Sequence, residues 1–156
     1  MGENVFEDLP NKLSIAVHDA GAANLILSWI KKTIELKSKT IEFRILKEGP
    51  SERLFDSMKL RNVNSCLSFD ELYKDSKYLI SGTGWQSNTE YDAMNEAKKR
   101  NIYCIAVIDH WINYRDRFIR NGKELIPDEI WVSDEYALKK AKYLFKSTKI
   151  SLKHNT

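Results

Sequence analysis

Cysteine and long apolar segments are what this sequence most lacks. Its 156 residues include two cysteines, Cys66 and Cys104, and no C-x-x-C spacing. A disulfide framework and a cysteine-based zinc site are therefore not expected, and we predict that both cysteines are reduced core residues. The longest apolar stretch, around AANLILSWI, is well short of the roughly 20 residues that a membrane-spanning helix needs. We therefore expect no membrane partner.

Targeting signals and low-complexity segments are also lacking. The amino terminus, MGENVFEDLP, is acidic and has no apolar signal-peptide core, so we expect a cytoplasmic protein. No internal repeat or biased tract is visible, and the length is that of one folded domain. The sequence therefore predicts a single domain over residues 1–156, with residues 1–11 as a flexible lead.

Charge of both signs is present, and the net charge is only +3. The excess of lysine lies near the end of the chain, in DEYALKKAKYLFKSTK. Its lysines fall between apolar residues at helical spacing, which is typical of the solvated face of an amphipathic helix. No nucleic-acid-binding motif accompanies them, so a nucleic-acid partner is not expected.

The chain does contain a regular alternation of short apolar runs and amphipathic stretches. Strands are predicted in KLSIAVH, IEFRIL, KYLIS, IYCIAVI and EIWVS, with VNSCL as a candidate sixth. Helices between them indicate one three-layer α/β/α Rossmann-like domain with a mostly parallel sheet of about five to six strands. Asn121 and Gly122 predict a β-hairpin within residues 118–126. The closing KISL fits either an edge strand or a frayed tail.

Right-handed crossovers would bring the carboxyl end of every strand to one edge of this sheet, where open α/β sheets bind their ligands. These loops contain two of the three histidines and both glycines of the G-x-G turn. All of the candidate site residues come from them. The loops expected to meet there are residues 18–24, 47–51, 82–88, 109–117 and 133–136.

The first loop, HDAGAAN, places His18 and Asp19 after a strand and small residues up to Asn24. Small residues let a ligand approach the backbone, and the start of the following helix would favour an anion. We interpret Asp19, Gly21 and Asn24 as ligand-binding residues and His18 as a catalytic acid or base. The alternative is a tight turn whose small residues serve packing only.

The glycine turn SGTGWQSNTE is the stronger anion candidate. Its glycines let the backbone bend ahead of a helix, for which Ser87 and Glu90 form a capping-box pattern. A phosphate, carboxylate or sugar is expected to bind here. In the alternative interpretation the glycines serve turn geometry alone and the tryptophan packs on a neighbour. The predicted ligand-binding residues of this turn are Gly82, Thr83, Gly84, Trp85 and Ser87.

The third loop, DHWINYRDRF, follows the most continuously apolar strand. We predict that Asp109 and His110 are catalytic, with the histidine moving protons near neutral pH. Trp111 and Tyr114 are expected to stack on a sugar or a base. The alternative is a structural loop with core aromatics and surface ion pairs. Two arginines that could hold a phosphate complete the ligand-binding set, Arg115 and Arg117.

A metal site is not predicted. The pairs His18-Asp19 and Asp109-His110 could meet across strands, but no H-x-H or H-E-x-x-H spacing supports a divalent cation. The nucleophile turn G-x-S-x-G of serine hydrolases is absent as well. We expect no cofactor.

The segment YLISGTGWQSNTEYDAMNEAKKRNIYCIAVIDHW, followed by PDEIWVSDEYALKKA, resembles the amino-terminal Rossmann-like half of GT-B glycosyltransferases and of the related UDP-N-acetylglucosamine 2-epimerases. The resemblance covers the pattern of residues 13–145. It implies an acceptor-side cleft lined by Gly21, Gly82, Gly84 and His110. In that superfamily a second, carboxyl-terminal domain holds most of the donor nucleotide. A homodimer, or a partner that supplies the second domain, is therefore expected.

The resemblance implies a protein that binds an anionic or sugar small molecule, namely a sugar, a sugar phosphate or a nucleotide sugar, in surface polysaccharide metabolism. Any catalysis would be glycosyltransferase-like or epimerase-like and would need the second domain or subunit. The alternative is a non-catalytic Rossmann-like module for ligand sensing or for docking a partner.

Overall fold

A parallel sheet of seven strands lies at the centre of the protein. The computed structural model describes residues 4–36, 40–84, 87–109 and 115–154. The sheet has the order β3-β2-β1-β4-β5-β8-β9, and β6 and β7 form a separate antiparallel hairpin. The strands in chain order are β1 (Lys12–Val17), β2 (Glu42–Lys47), β3 (Val63–Ser65), β4 (Tyr78–Ser81), β5 (Tyr103–Val107), β6 (Ile119–Arg120), β7 (Lys123–Glu124), β8 (Glu129–Val132) and β9 (Lys149–Leu152).

Helices cover both faces of the sheet. One face packs against α1 (Ala20–Leu36) and α2 (Pro50–Met58). The other packs against α3 (Phe69–Tyr73), α4 (Thr89–Lys99) and α5 (Glu135–Leu144). Each side of the sheet therefore has its own hydrophobic core. The predicted three-layer, Rossmann-like α/β/α domain is confirmed.

The inner strands are apolar along their length because both of their faces are covered. In β1, Leu13, Ile15 and Val17 are fully buried in the core on the α1 side. Ser14 lies on the opposite face, where its hydroxyl donates to the Leu72 carbonyl at 2.6 Å. The predicted parallel arrangement of β1, β4, β5 and β8 is confirmed.

The structure adds two details to the predicted fold. The sheet has seven strands, against the expected five to six, because KISL forms the edge strand β9 beside β8, one of the two alternatives that the sequence left open. Within the predicted lead over residues 1–11, Val5 and Phe6 are buried. The Phe6 ring packs on Phe43 and Trp131, with centroid distances of 5.3 and 6.1 Å. The acidic residues beside Val5 and Phe6 made this segment read as polar in the sequence, but the two side chains have enough apolar surface to hold it against the core.

Smaller features of the chain follow the sequence patterns. Cys66 and Cys104 are free and buried, as predicted. The hairpin lies within residues 118–126, and its turn residues Asn121 and Gly122 have φ angles of 53° and 75°. Among the described residues, no helix has both the length and the apolar character required to cross a membrane.

Candidate functional site

The order of strands reverses between β1 and β4. β1 leads into α1 on one face of the sheet, whereas β4 leads into α4 on the other. Open parallel sheets form a crevice at such a point, outside the carboxyl ends of the strands, and bind ligands there. The loops after β1 and β4 flank it side by side because Ala16 pairs with Ser81. We call this region the switch-point crevice; its described residues are 18–21, 48–49, 82–84, 90 and 109.

The loop after β1 holds a histidine–aspartate pair. His18 Nδ1 lies 2.6 Å from Asp19 Oδ1, and the two side chains are 14% and 27% exposed. In the neutral imidazole this contact favours the proton on Nδ1, so Nε2 carries the lone pair. Nε2 lies against Gly49 at the start of α2, where a Cβ atom would approach it to 2.5 Å. Gly49 also has a φ of +66°, so close approach and backbone conformation both favour glycine.

Two glycines of the loop after β4 accommodate carboxylates of the protein itself. A Cβ atom on Gly84 would lie 1.9 Å from Asp19 Oδ2. At Gly82 it would lie 1.8 Å from Glu90 Oε2. The sequence suggested that these glycines either bind an external anion or serve turn geometry alone. Contact with a carboxylate of the protein itself was not among these alternatives. The glycines let acidic side chains pack directly on the backbone.

Glu90, in the first turn of α4, lies at the base of the crevice and is only 1% exposed. Its carboxylate accepts the Gly84 N–H at 2.7 Å and the His18 N–H at 3.2 Å, which joins the loops after β4 and β1. Burial raises the pKa of the Glu90 carboxyl to about 7. The Gly84 N–H opposes this rise, and the negative charge of Asp19 reinforces it.

The predicted capping box of Ser87 and Glu90 is wrong. Helix α4 begins at Thr89, whose N–H donates to the Ser87 hydroxyl at 3.1 Å. The Glu90 side chain turns into the crevice instead of returning to the helix start. The protein thus supplies a carboxylate to the Gly84 N–H, a group that the sequence assigned to an external anion. The Thr89 hydroxyl donates to Glu48 at 2.8 Å and so ties α4 to the loop after β2.

Arg117 joins the loops after β4 and β5. Its buried Nη1 donates to the Thr83 carbonyl, the Thr83 hydroxyl and Asp109 Oδ1 at 3.1, 3.2 and 3.3 Å. The Thr83 hydroxyl donates in turn to the Val107 carbonyl at 2.9 Å. The other Asp109 oxygen lies against Gly21, where a Cβ atom would be 2.0 Å away. Thr83 and Arg117, predicted as ligand contacts, therefore hold Asp109 in place beside α1.

Arg115 lies away from the crevice, so the predicted phosphate clamp of Arg115 with Arg117 is not formed. Its guanidinium donates to the Leu144 carbonyl at 2.8 Å, at the end of α5. The two arginines diverge because the chain forms a 3₁₀ helix at Asp116–Phe118. Residues two apart share a face on a strand, but they do not in a helix with three residues per turn.

Arg120, which no sequence pattern indicates, supplies a positive charge beside the crevice. It belongs to β6, and its guanidinium donates to the Gly84 carbonyl at 2.9 Å and to Asn88 Oδ1 at 3.0 Å. The guanidinium also lies 5.3 Å from the centroid of the Tyr91 ring. Its role depends on the hairpin folding back onto α4, which local sequence does not determine.

The remaining described site residue, Asn24, lies apart from these contacts and is exposed in the second turn of α1. Four predicted site residues lie outside the described residues: Trp85, His110, Trp111 and Tyr114.

The described part of the crevice presents mainly carboxylates and one imidazole. Within that part of the chain, no three His, Cys, Asp or Glu side chains are grouped so that they could hold a metal ion. Carboxylate oxygens accept hydrogen bonds from hydroxyl and amine groups, and histidine exchanges protons near neutral pH. The arrangement suits a ligand with several hydroxyl groups better than one recognised through phosphate alone.

Comparisons with protein-family models, with curated proteins and with solved structures find no match to this chain. The resemblance to GT-B enzymes therefore stays a prediction, and the site has to be interpreted from its own geometry.

Proposed function

We propose that the protein binds a sugar, a sugar phosphate or a nucleotide sugar in the switch-point crevice. The observation that supports this most is the placement of His18, Asp19 and Asp109 at the carboxyl ends of β1 and β5, the strands on either side of β4. The Asp19 and Asp109 side chains are 27% and 19% exposed, so a ligand can reach them. Sugar hydroxyls donate hydrogen bonds, and each carboxylate can accept several.

The sugar ring, rather than a phosphate, is the part of the ligand that fits the crevice. Asp19, Asp109 and Glu90 would repel a phosphate at short range. The first turn of α1 does not offset this repulsion, because the Asp109 carboxylate lies against Gly21 there. A nucleotide sugar or sugar phosphate would therefore bind with its sugar ring in the crevice and its anionic group outside it.

His18 gives the crevice a group that can move a proton. Its Nε2 is the basic atom because Nδ1 is bonded to Asp19. When Nε2 takes a proton from a sugar hydroxyl, the Asp19 carboxylate stabilises the imidazolium that forms. We extend the proposal to a cytoplasmic role in surface polysaccharide metabolism, with a second domain or subunit that brings the activated sugar.

Thermal unfolding in the presence of N-acetylglucosamine, UDP-N-acetylglucosamine and glucose 1-phosphate tests the proposal. A ligand at 100 times its Kd adds about 2.7 kcal/mol to the free energy of unfolding, which shifts Tm by several degrees. Asp19→Asn should weaken binding about tenfold or more, because a charged acceptor is lost.

Asp92→Asn is the matched control, because this carboxylate lies in the first turn of α4, as Glu90 does, but is exposed. It should bind as the wild type does. Absence of stabilisation by all three compounds, or equal stabilisation of the wild type and Asp19→Asn, would contradict the proposal.

A further inference from the structure

Glu90 takes no part in the proton transfer proposed above, but its carboxylate bonds the backbone of His18, the residue that would perform it. One backbone donor reaches its carboxylate from each wall of the crevice, His18 N–H after β1 and Gly84 N–H after β4. The same two residues meet a second time through Asp19, which bonds the His18 ring and lies against Gly84. These four residues form a closed ring of contacts across the crevice.

Opposing forces act on the Glu90 charge. Burial and the neighbouring Asp19 favour the protonated acid, while the two N–H donors favour the carboxylate, and its pKa lies at about 7. Both states are therefore populated near neutral pH. Two charged or titratable groups act on Glu90 directly, His18 and Asp19. The others on the described elements belong to the hydrogen-bond network around it, namely Glu48, Asp109, Arg117 and Arg120.

We propose that Glu90 is the positioning residue of the crevice: as a carboxylate it holds the His18 and Gly84 amides together, and protonation releases the His18 amide. An ionised carboxylate accepts on both oxygens, whereas the acid carries a proton on one of them. The bond to His18 is the longer of the two, 3.2 against 2.7 Å, so it is the one expected to weaken. Release of this amide loosens the Asp19–His18 pair.

The effect of Glu90 on binding rests on the proposed sugar site, but the decisive test of its positioning role needs no ligand. The amide proton resonances of His18 and Gly84 can be followed by NMR from about pH 5 to 9. Amides bonded to a carboxylate move downfield when it ionises. We expect both resonances to move with one common midpoint near neutral pH, and we expect Glu90→Gln to remove that step from both.

Two control variants separate Glu90 from its neighbours. Asp92→Asn, an exposed carboxylate in the same helix turn, should keep the step. His18→Gln removes the imidazole and should leave the Gly84 step in place. Loss of the Gly84 step in His18→Gln, or different midpoints for the two amides in the wild type, would overturn the proposal even if Glu90→Gln did not fold.

Binding of UDP-N-acetylglucosamine then separates this inference from the proposed function. The wild type should bind this probe several-fold more tightly above the midpoint than below it, and Glu90→Gln should lack that part of the pH dependence. If the probe does not bind at any pH while the amides titrate together, the proposed ligand is wrong and the positioning by Glu90 stands.

Discussion

Two buried glutamates, at opposite edges of the same sheet, have opposite surroundings. Glu90 lies at the carboxyl edge and is 1% exposed, and Glu129 begins β8 at the amino edge and is 7% exposed. Glu129 accepts hydrogen bonds from Trp131 Nε1, the Ser151 hydroxyl and the Tyr103 hydroxyl at 2.7, 2.8 and 2.9 Å. Glu90 has two backbone donors and a carboxylate neighbour.

The pKa values of the two carboxyls diverge for this reason. Burial alone would raise the pKa of Glu129, but its side-chain donors and Lys149 outweigh that effect and hold it below the ordinary value. Burial dominates at Glu90 and raises the pKa to about 7. Glu129 at the amino edge is thus held as a carboxylate by its donors, whereas the charge of Glu90 at the carboxyl edge changes near neutral pH.

The largest expected loss of stability comes from removing the Glu129 carboxylate, which accepts three side-chain hydrogen bonds. Glu129→Ala leaves the buried Trp131 N–H and the Tyr103 hydroxyl without their acceptor, so the free energy of unfolding should fall by about 3 kcal/mol. Urea unfolding measures it. Glu124→Ala, on the exposed hairpin and in an exposed ion pair with Arg115, should change it by no more than about 0.5–1 kcal/mol. A loss of less than about 1 kcal/mol at Glu129 would show that this network contributes little.

The pH dependence of stability should have opposite signs at the two edges. The folded pKa of Glu90 lies near 7, above the ordinary 4.5, so its contribution is full below pH 4.5 and is lost as pH rises through 7. Relative to Glu90→Gln, the wild type should lose on the order of 2–3 kcal/mol between about pH 5 and 8. The Glu129 pKa is lowered, so its contribution is lost as pH falls instead. Parallel stability curves for the wild type and Glu90→Gln would contradict the assignment.

Gly84→Ala should destabilise the protein by about 1–3 kcal/mol, because the added methyl meets the Asp19 carboxylate. The steric partner is specific, since the new Cβ atom would lie 1.9 Å from Asp19 Oδ2. Adding Asp19→Ala should restore part of the loss, which a double-mutant cycle in urea would detect as a coupling energy. Strictly additive effects would mean that the carboxylate does not pack on this glycine.

The smallest effect is expected at Arg115, outside the crevice. Its ion pair with Glu124 is 3.3 Å long, and the two side chains are 53% and 38% exposed. Arg115→Ala should therefore change stability by no more than about 0.5–1 kcal/mol. Calorimetric titration with UDP-N-acetylglucosamine should give an unchanged Kd. A tenfold weaker Kd would extend the binding site to the end of α5.

The fold was predictable because burial on both faces leaves a clear signal. The apolar runs of β1, β4, β5 and β8 indicated parallel inner strands, and strand direction alone placed their loops at one edge. The edge strands and the amino-terminal segment were harder, because their pairing and packing depend on the assembled sheet. Phe6, next to two acidic residues in the sequence, became a core residue only through contact with distant Phe43.

The site was predictable by position and less so by role. The spacing of Ser87 and Glu90 fits a capping box, and only tertiary structure shows that Glu90 bonds His18 and Gly84 instead. Glycines that pack on carboxylates have the same sequence signal as glycines that bind an anion. The spacing of Arg115 and Arg117 suited a strand, and a 3₁₀ turn separated them.

The claim that the carboxyl edge binds the ligand is tested most directly by NMR mapping of bound UDP-N-acetylglucosamine on the ¹⁵N-labelled protein. The prediction is that shift changes concentrate at the amides of His18, Gly21 and Gly84. Changes concentrated instead at the amino edge, around Tyr103 and Glu129, or no changes at a saturating concentration, would contradict it.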